Sequence, residues 1–346
     1  MDQTQWPTHE RVAMRRALEL AAGGPEADPN PRVGCVLLDA DGATVGEGWH
    51  EGAGTDHAEV VALKAAGELA RGGTAVVTLE PCNHTGRTGP CAQALIAAGV
   101  SRVVFAQADP TAQASGGAAT LRAAGIRVET GLLAHESAGL NHSWTFAQKS
   151  GRPWVSWKFA ATLDGRSAAA DGSSQWITGP VMRRAMNQRR ARCGAVVVGT
   201  GTVLSDDPRL TVRDEQNQPM GRQPLRVVVG DRPVPAEARV RGTDSRFRQL
   251  PGGKPQEVLQ SLSQQGIHHV WLEGGPALAA AWWRAGVIDE VICCLAPALL
   301  GAGKAAVADL GITTIADIAR LHLVDVERHG EDVALILNPI RNPKEK

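Results

Sequence analysis

Residues 74–106 read TAVVTLEPCNHTGRTGPCAQALIAAGVSRVVFA, and this stretch decides the fold. Two apolar runs, 75–79 and 102–106, flank a segment from about 90 to 98 with alanines and a leucine at helical spacing. Strand, helix and strand in that order make a parallel crossover, and a mostly parallel sheet must be covered by helices on both faces. Upstream, 57–70 reads as a helix. Val33–Leu38 and Ala43–Gly48 read as a hairpin around Asp41-Gly42, two residues that tolerate positive φ, and 10–22 as an amphipathic helix. Downstream follow a helix at 118–124 and the strand Ile126–Glu129. The rhythm breaks over 134–153, where Asn141-His142, Lys149-Ser150-Gly151 and Arg152-Pro153 predict a linker.

A second, different α/β unit is predicted beyond it. Its strands are Trp154–Phe159, Ala195–Val198, Leu225–Val229, His269–Leu272, Glu290–Leu295, Leu321–Glu327 and Val333–Leu337, with helices at 180–191, 255–265 and 276–285. Residues 239–255, rich in Gly, Pro, Arg and Gln, read as an exposed loop. The two halves share no repeat, which excludes a solenoid. The expected domains are 1–146 and 147–346.

Length agrees, since 346 residues suit two domains at roughly 150 each. With 36 basic and 36 acidic side chains there is no global positive field to hold a nucleic-acid backbone, so an anionic ligand must be met by local arginines. No long uncharged apolar run predicts a membrane span. The N-terminus, MDQTQWPTHERVAMRRALELAAGG, lacks the apolar centre of a signal peptide, which predicts a cytoplasmic protein. Six cysteines then read as reduced thiols and metal ligands rather than a disulfide framework.

The chemistry-bearing residues of the first half are His57, Glu59, Cys82 and Cys91. His57-Ala58-Glu59 is predicted to open one helix, and Pro81-Cys82 another directly after a strand. One imidazole and two thiolates are three ligands, the usual number at a catalytic zinc that keeps its fourth position for water. Glu59, two positions after His57, can reach that water without ligating and move its proton to a ring nitrogen and then a leaving amine. H-x-E followed by P-C…C is the pattern of zinc nucleobase deaminases, although eight residues separate Cys82 from Cys91 where the common form has two.

That spacing resembles one family, the bifunctional riboflavin-biosynthesis deaminase–reductases. The likeness is carried by Asn30-Pro31-Arg32-Val33-Gly34-Cys35-Val36, Gly46-Glu47-Gly48-Trp49-His50, His57-Ala58-Glu59-Val60 and the run from Thr78 to Cys91. The resemblance implies an N-terminal cytidine-deaminase-like α/β/α domain and a C-terminal dihydrofolate-reductase-like α/β domain. It implies that the first domain removes the 2-amino group of a diamino-pyrimidinone ribosyl 5′-phosphate, with Asn30, His50, His84 and Arg87 contacting it. An amide can read a pyrimidine edge and an arginine can clamp a phosphate. Asp109-Pro110 also matches, while Thr111-Ala112 and Ser115-Gly116-Gly117-Ala118 depart from the family pattern.

In the second half four clusters follow strands: Lys158–Arg166, Ser174–Thr178, Gly199–Arg213 and Glu273–Pro276. Ligands of open α/β sheets bind at strand carboxyl ends, and glycines there let a phosphate approach a helix N-terminus. No G-x-G-x-x-G is present. The resemblance implies that this half reduces the ribosyl group to ribityl with NADPH. It assigns cofactor contacts to Ala160, Trp176, Thr202, Asp206, Gly275, Pro276 and Ala277. Substrate contacts fall to Ser174, Arg190, Leu210, Arg213 and Glu273, with Lys158 beside them. Lys158, Asp206 and Glu273 are all candidates for proton handling. Arg183, Arg184, Arg189, Arg190 and Arg192 form a basic helix stretch, read mostly as a solvated face.

The expected partners are a small pyrimidine ribosyl phosphate and further copies of the chain, with neither nucleic acid nor membrane. The rival reading is a tRNA or nucleoside deaminase carrying an unrelated C-terminal domain. A polynucleotide editor needs aromatics for flipped bases, and the chain has no Tyr and only 4 Phe.

Overall fold

The helical periodicity after Pro7 is realised as α1 (Thr8–Ala22), which lays Ala13, Met14, Ala17 and Leu20 against a sheet. The computed structural model describes residues 6–84, 89–112, 114–214, 218–219 and 221–340, and the chain divides into two units, Met1–Ser150 and Gly151–Lys346. The first continues with β1 (Gly34–Leu38), β2 (Thr44–Trp49), α2 (Ala58–Ala66), β3 (Thr74–Leu79), α3 (Cys91–Ala98), β4 (Arg102–Gln107), α4 (Gly117–Ala123), β5 (Arg127–Thr130), α5 (Ala134–Leu140) and α6 (His142–Ser150).

Its sheet order is β2-β1-β3-β4-β5. Alternation sorts the apolar side chains between two faces. Cys35, Leu37, Ala75, Val77, Val103 and Phe105 pack under α2, α3 and α4, while Val36, Leu38, Val76, Val104 and Ala106 pack under α1 and Leu132-Leu133. The result is the expected α/β/α layering. The sheet is less parallel than expected: β1 pairs antiparallel with both β2 and β3, and only β3-β4 and β4-β5 are parallel. The Asp41-Gly42 hairpin, with Gly42 at φ 88, forces the first of these.

The linker expected over 134–153 is instead the helix pair α5–α6. Trp144 and Ala147, one helical step apart, are buried in α6, and Ser137 of α5 donates to the Thr78 carbonyl at 2.6 Å. Asn141, which looked like a loop residue, is the buried corner between the helices. Its amide exchanges two hydrogen bonds with the Arg32 backbone, at 2.9 and 2.8 Å. The unit boundary therefore falls after Ser150, at the end of α6, four residues past 146.

The second unit comprises β6 (Trp154–Thr162), α7 (Pro180–Ala191), β7 (Ala195–Gly199), α8 (Thr200–Asp206), β8 (Leu225–Val229), β9 (Phe247–Leu250), α9 (Pro255–Ser263), β10 (His269–Leu272), α10 (Pro276–Arg284), β11 (Glu290–Ala296), β12 (Leu321–His329) and β13 (Asp332–Pro339). Eight strands run in the order β12-β13-β11-β6-β10-β7-β8-β9. The six from β11 to β9 are parallel, and β13 and β12 add antiparallel. One core holds Val155, Trp157, Val197, Leu259, Leu272 and Trp282, and the other Met182, Met186, Val196, Trp271 and Ile292.

The whole of 239–255 is expected to be an exposed loop, yet part of it is the edge strand β9, paired parallel with β8. Its polar composition hides one buried anchor. Arg226 of β8 is 1% exposed and donates to the Val240 and Arg241 carbonyls, with Asp244 as its counter-ion. No helix among the described residues is long and apolar enough to cross a membrane.

Candidate functional site

In the first unit the metal-type residues sit where strands end and helices begin. His57 is the N-cap residue of α2 and Cys91 the first residue of α3. Cys82 follows β3 without opening a helix, contrary to expectation; the helix starts at Cys91, with Pro90 as its N-cap residue. The Cys82 carbonyl accepts the Ala92 N–H at 3.2 Å and its sulfur faces the Cys91 N–H at 3.4 Å, so the two cysteines share one helix start. Close packing fixes His57 in the same way. A Cβ on Gly48 would lie 2.4 Å from the Ala58 carbonyl, so only glycine lets β2 pass so near the first turn of α2.

His57 Nδ1 lies 3.2 Å from Cys91 Sγ and 3.5 Å from Cys82 Sγ, and all three ligand atoms fall within 4.8 Å of one another. Tetrahedral zinc with ordinary bond lengths would separate nitrogen and sulfur by about 3.5 Å, so this donor set fits zinc in type and in spacing. Hydrogen bonds from Cys91 and His57 hold the Cys82 thiol well below its ordinary range, the state a metal ligand needs. Glu59, only 3% exposed in the first turn of α2, is pushed up to about 7 by burial. That is the range of a proton carrier working near neutrality.

Beside this triad, Asn30 Nδ2 donates to His50 Nε2 at 3.1 Å, while His50 Nδ1 faces the Asp56 carbonyl at 3.0 Å. The carbonyl fixes the proton on Nδ1 and makes Nε2 the acceptor. The rings of His50 and His57 meet edge to face at 5.5 Å. His84 Nδ1 is buried with no partner among the described residues. Arg87 lies outside the described residues.

Sequence reasoning missed Glu80. Its buried carboxylate accepts the N–H groups of Asp109, Gly116 and Ala118 at 3.3, 3.2 and 3.0 Å, and so ties the loop with the altered family residues to the strand end that carries Cys82. Thr111 makes the turn there, donating its hydroxyl to Asp109 at 2.6 Å and accepting Ala114 N–H at 3.2 Å. Three acceptor contacts to backbone leave no signature in side-chain spacing.

In the second unit Lys158 lies inside β6, as the predicted strand Trp154–Phe159 has it, and pairing with β11 extends that strand to Thr162, so Ala160 lies inside it too rather than after it. Glu273 follows the neighbouring strand β10. It receives Arg190 Nη2 at 2.7 Å on both oxygens and Trp271 Nε1 at 2.5 Å. Burial opposes its ionisation, but the charges of Arg190 and Lys158 hold its carboxyl below the usual range. Arg213 is held below the usual arginine range by burial and by Arg209, Arg239 and Arg190, a convergence of positive charge that suits a phosphate. Leu210, at φ 54 and buried, turns the chain between these arginines. The basic stretch of α7 is mostly engaged: Arg189 pairs with Glu327, and Arg183 donates to the Thr178 carbonyl and lies 4.4 Å over the ring of Trp176.

Gly199 caps α8, a helix the sequence reading missed, and Gly275 caps α10. These helices follow adjacent parallel strands, but α8 leads to β8 on one side and α10 to β11 on the other, past β6. That divergence is the switch point where open α/β sheets bind nucleotides. Thr202 Oγ1 accepts the Gly275 N–H at 3.0 Å, joining the two helix starts. Their free N–H groups and glycines fit the phosphates of a dinucleotide such as NADPH. Asp206 ends α8, exposed, and accepts Ser205 Oγ at 2.7 Å; Ser174 is half-buried in the loop before Trp176, which is 68% exposed.

Residues 7–107 match the model of the cytidine and deoxycytidylate deaminase zinc-binding region, and 153–335 that of the RibD C-terminal domain. Over 310 residues the chain is 50% identical to the riboflavin biosynthesis protein RibD of Mycobacterium tuberculosis, covering 89% of this chain and 91% of that protein. For Escherichia coli RibD the figures are 42%, 94% and 98%. The chain belongs to the RibD family. Among solved structures, Acinetobacter baumannii RibD superposes with a TM-score of 0.89 at 40% identity, covering 96% of this chain and 99% of that one. The Thermotoga maritima diaminohydroxyphosphoribosylaminopyrimidine deaminase/5-amino-6-(5-phosphoribosylamino)uracil reductase gives 0.87 at 31%, with the same coverage. The match at 153–335 makes the C-terminal half a RibD domain, which sets aside a tRNA or nucleoside deaminase with an unrelated partner domain.

Proposed function

We propose that the residues above divide two consecutive reactions between the two units. The chain is a bifunctional enzyme of riboflavin biosynthesis, a zinc-dependent deaminase and an NADPH-dependent reductase. It hydrolytically deaminates 2,5-diamino-6-ribosylamino-4(3H)-pyrimidinone 5′-phosphate and then reduces the ribosyl side chain, giving 5-amino-6-ribitylaminouracil 5′-phosphate. We assign deamination to residues 1–146 and reduction to 147–346; the unit boundary at Ser150 supports a division close to that point.

In the deaminase, His57, Cys82 and Cys91 would hold zinc. Zinc supplies a water made acidic enough to attack near neutral pH. Glu59, buried beside the triad, would carry a proton to the ring nitrogen and on to the departing amine; its burial there supports this role. Asn30, oriented by His50, reads the pyrimidine edge, and the orphaned Nδ1 of His84 supports a second polar contact. Arg87 is assigned to the substrate phosphate.

In the reductase, bound NADPH would supply the hydride that the anomeric carbon needs. Thr202, Asp206, Ala160, Trp176 and the turn Gly275-Pro276-Ala277 bind the cofactor; the joined starts of α8 and α10 support this. Arg190 and Arg213, with Ser174 and Leu210, hold the substrate. Lys158 and Glu273 stand together at the ring oxygen that gains a proton, and the charge coupling between them supports the pair over exposed Asp206.

The observation that carries this reading is the convergence of buried Glu59 on an imidazole–dithiol set in one unit, with Lys158, Glu273 and Arg190 converging in the other. Ammonia release and NADPH oxidation, followed together on the diamino-pyrimidinone phosphate, test it. Ammonia should appear without NADPH, and NADPH should be consumed only once deaminated product exists.

We also propose a homo-oligomer in the cytoplasm. Among the described residues the edge strand β12 pairs with β13 alone, and it leaves Leu323, Val324 and Val326 more than half exposed, which supports association through this edge. All six cysteines are free, which suits a reducing compartment.

A further inference from the structure

The cofactor crevice has a wall that no assignment above uses, the turn after β8. Strands β7 and β8 are parallel neighbours in register Gly199↔Val229, so Thr200-Gly201 and Gly230-Asp231-Arg232 emerge side by side. The approach is close. A Cβ on Gly230 would lie 2.6 Å from Thr200 Oγ1, and a Cβ on Gly201 3.1 Å from a guanidinium nitrogen of Arg232. The guanidinium therefore rests on the bare backbone of the glycine turn.

This turn is built rather than loose. Gln249 of β9 donates to the Gly230 and Arg232 carbonyls at 2.9 and 2.8 Å and accepts the Val234 N–H at 3.3 Å. One carboxylate oxygen of Asp231, itself an exposed residue, accepts the Gly252 N–H at 2.9 Å. Of this exposed turn, it is the Arg232 guanidinium that lies beside Gly201.

In dinucleotide sites of parallel α/β sheets the glycine turn takes the pyrophosphate and the end of the next strand meets the adenosine ribose. An acidic side chain there binds the free 2′-hydroxyl, and an arginine accommodates a 2′-phosphate. Here the strand end carries both kinds, with one oxygen of the acid bonded to the Gly252 backbone and the guanidinium beside the glycine turn. We propose that Arg232 selects the 2′-phosphorylated dinucleotide, its guanidinium meeting the 2′-phosphate of NADPH beside Gly201. Arginine suits this task because its planar fork donates two hydrogen bonds to one phosphate and stays charged at every working pH. The proposal rests on the reading that the cofactor lies along Gly199–Thr202 and Gly275–Ala277.

Calorimetric titration of NADPH and NADH into the full chain, without pyrimidine substrate, tests it in wild type, Arg232→Ala and Thr202→Val. Arg232→Ala should weaken NADPH roughly 10- to 100-fold, the range of a charged hydrogen-bonded contact, and leave NADH within about twofold. Arg232→Lys should recover part of the NADPH affinity, and the NADPH advantage of wild type should shrink with added salt. Thr202→Val should weaken both dinucleotides. If Thr202→Val weakens both while Arg232→Ala changes neither, or weakens both alike, the crevice holds the cofactor and selection by Arg232 is overturned. If neither variant changes either affinity, the placement of the cofactor in this crevice fails, and the proposal fails with it.

Discussion

In the first unit the proposed metal ligands stand on corners that the backbone defines: His57 begins α2, Cys91 begins α3 and Cys82 follows β3. In the second, Lys158, Glu273 and Arg190 come from β6, the end of β10 and α7, and they are held by one another. A site of the first kind tolerates few changes of residue type but does not depend on a charge balance, because helix starts and glycine contacts set its geometry. A site of the second kind depends on every member of the network, since removing one leaves a buried charge without compensation.

The largest effect should come from breaking the first site at a ligand. Cys82→Ser should lose zinc by metal analysis and abolish ammonia release, while the second unit still oxidises NADPH on deaminated substrate. Next, Glu59→Gln should keep zinc and lower deamination roughly 10²- to 10⁴-fold, the contribution of general acid–base catalysis. Retained zinc with an unchanged rate would remove Glu59 from the proton path.

The sequence offers these two residues as candidates because metal ligation and proton transfer need fixed residue types at short spacing. The supporting residues were not legible in it. Glu80 acts by accepting three backbone N–H groups, and Asn141 by pairing with one backbone residue from 109 positions away. Either would read as an ordinary polar residue in a loop. The fold was legible wherever one face of an element is apolar, as in β3, α3 and β4. It was misread at α5–α6 and β9, where polar side chains such as Asn141 and Arg226 make the contacts that composition assigns to solvent. In the second site, Glu273 and Arg190 were found by resemblance, and their direct pairing emerged only from the folded chain.

Trp271 sharpens the comparison at a smaller scale. It is 1% exposed and donates its indole N–H to Glu273 at 2.5 Å. Trp271→Phe keeps an aromatic ring, smaller than the indole, and removes that donor, so reduction should slow about tenfold with little change in KM for NADPH. The sign of the pH effect follows from the ionised form being the one stabilised. Glu273 is held low in the native protein, loss of a donor raises its pKa, and the acid limb of the reduction profile should move to higher pH. An unmoved limb would mean that the indole only fills space.

The smallest effect on chemistry is expected at the β12 edge. Val324→Glu places a charge on the exposed strand, and sedimentation should show smaller species while both rates stay within roughly twofold. Unchanged sedimentation would place any association elsewhere.

The central claim is that two separate side-chain sets carry two separate steps. The direct measurement is NADPH oxidation by Glu59→Gln supplied with already deaminated pyrimidine ribosyl phosphate, with circular dichroism showing an intact fold. The account predicts a rate within about twofold of wild type, because each unit buries its own core around its own site. Loss of reduction along with deamination in this folded variant would contradict it.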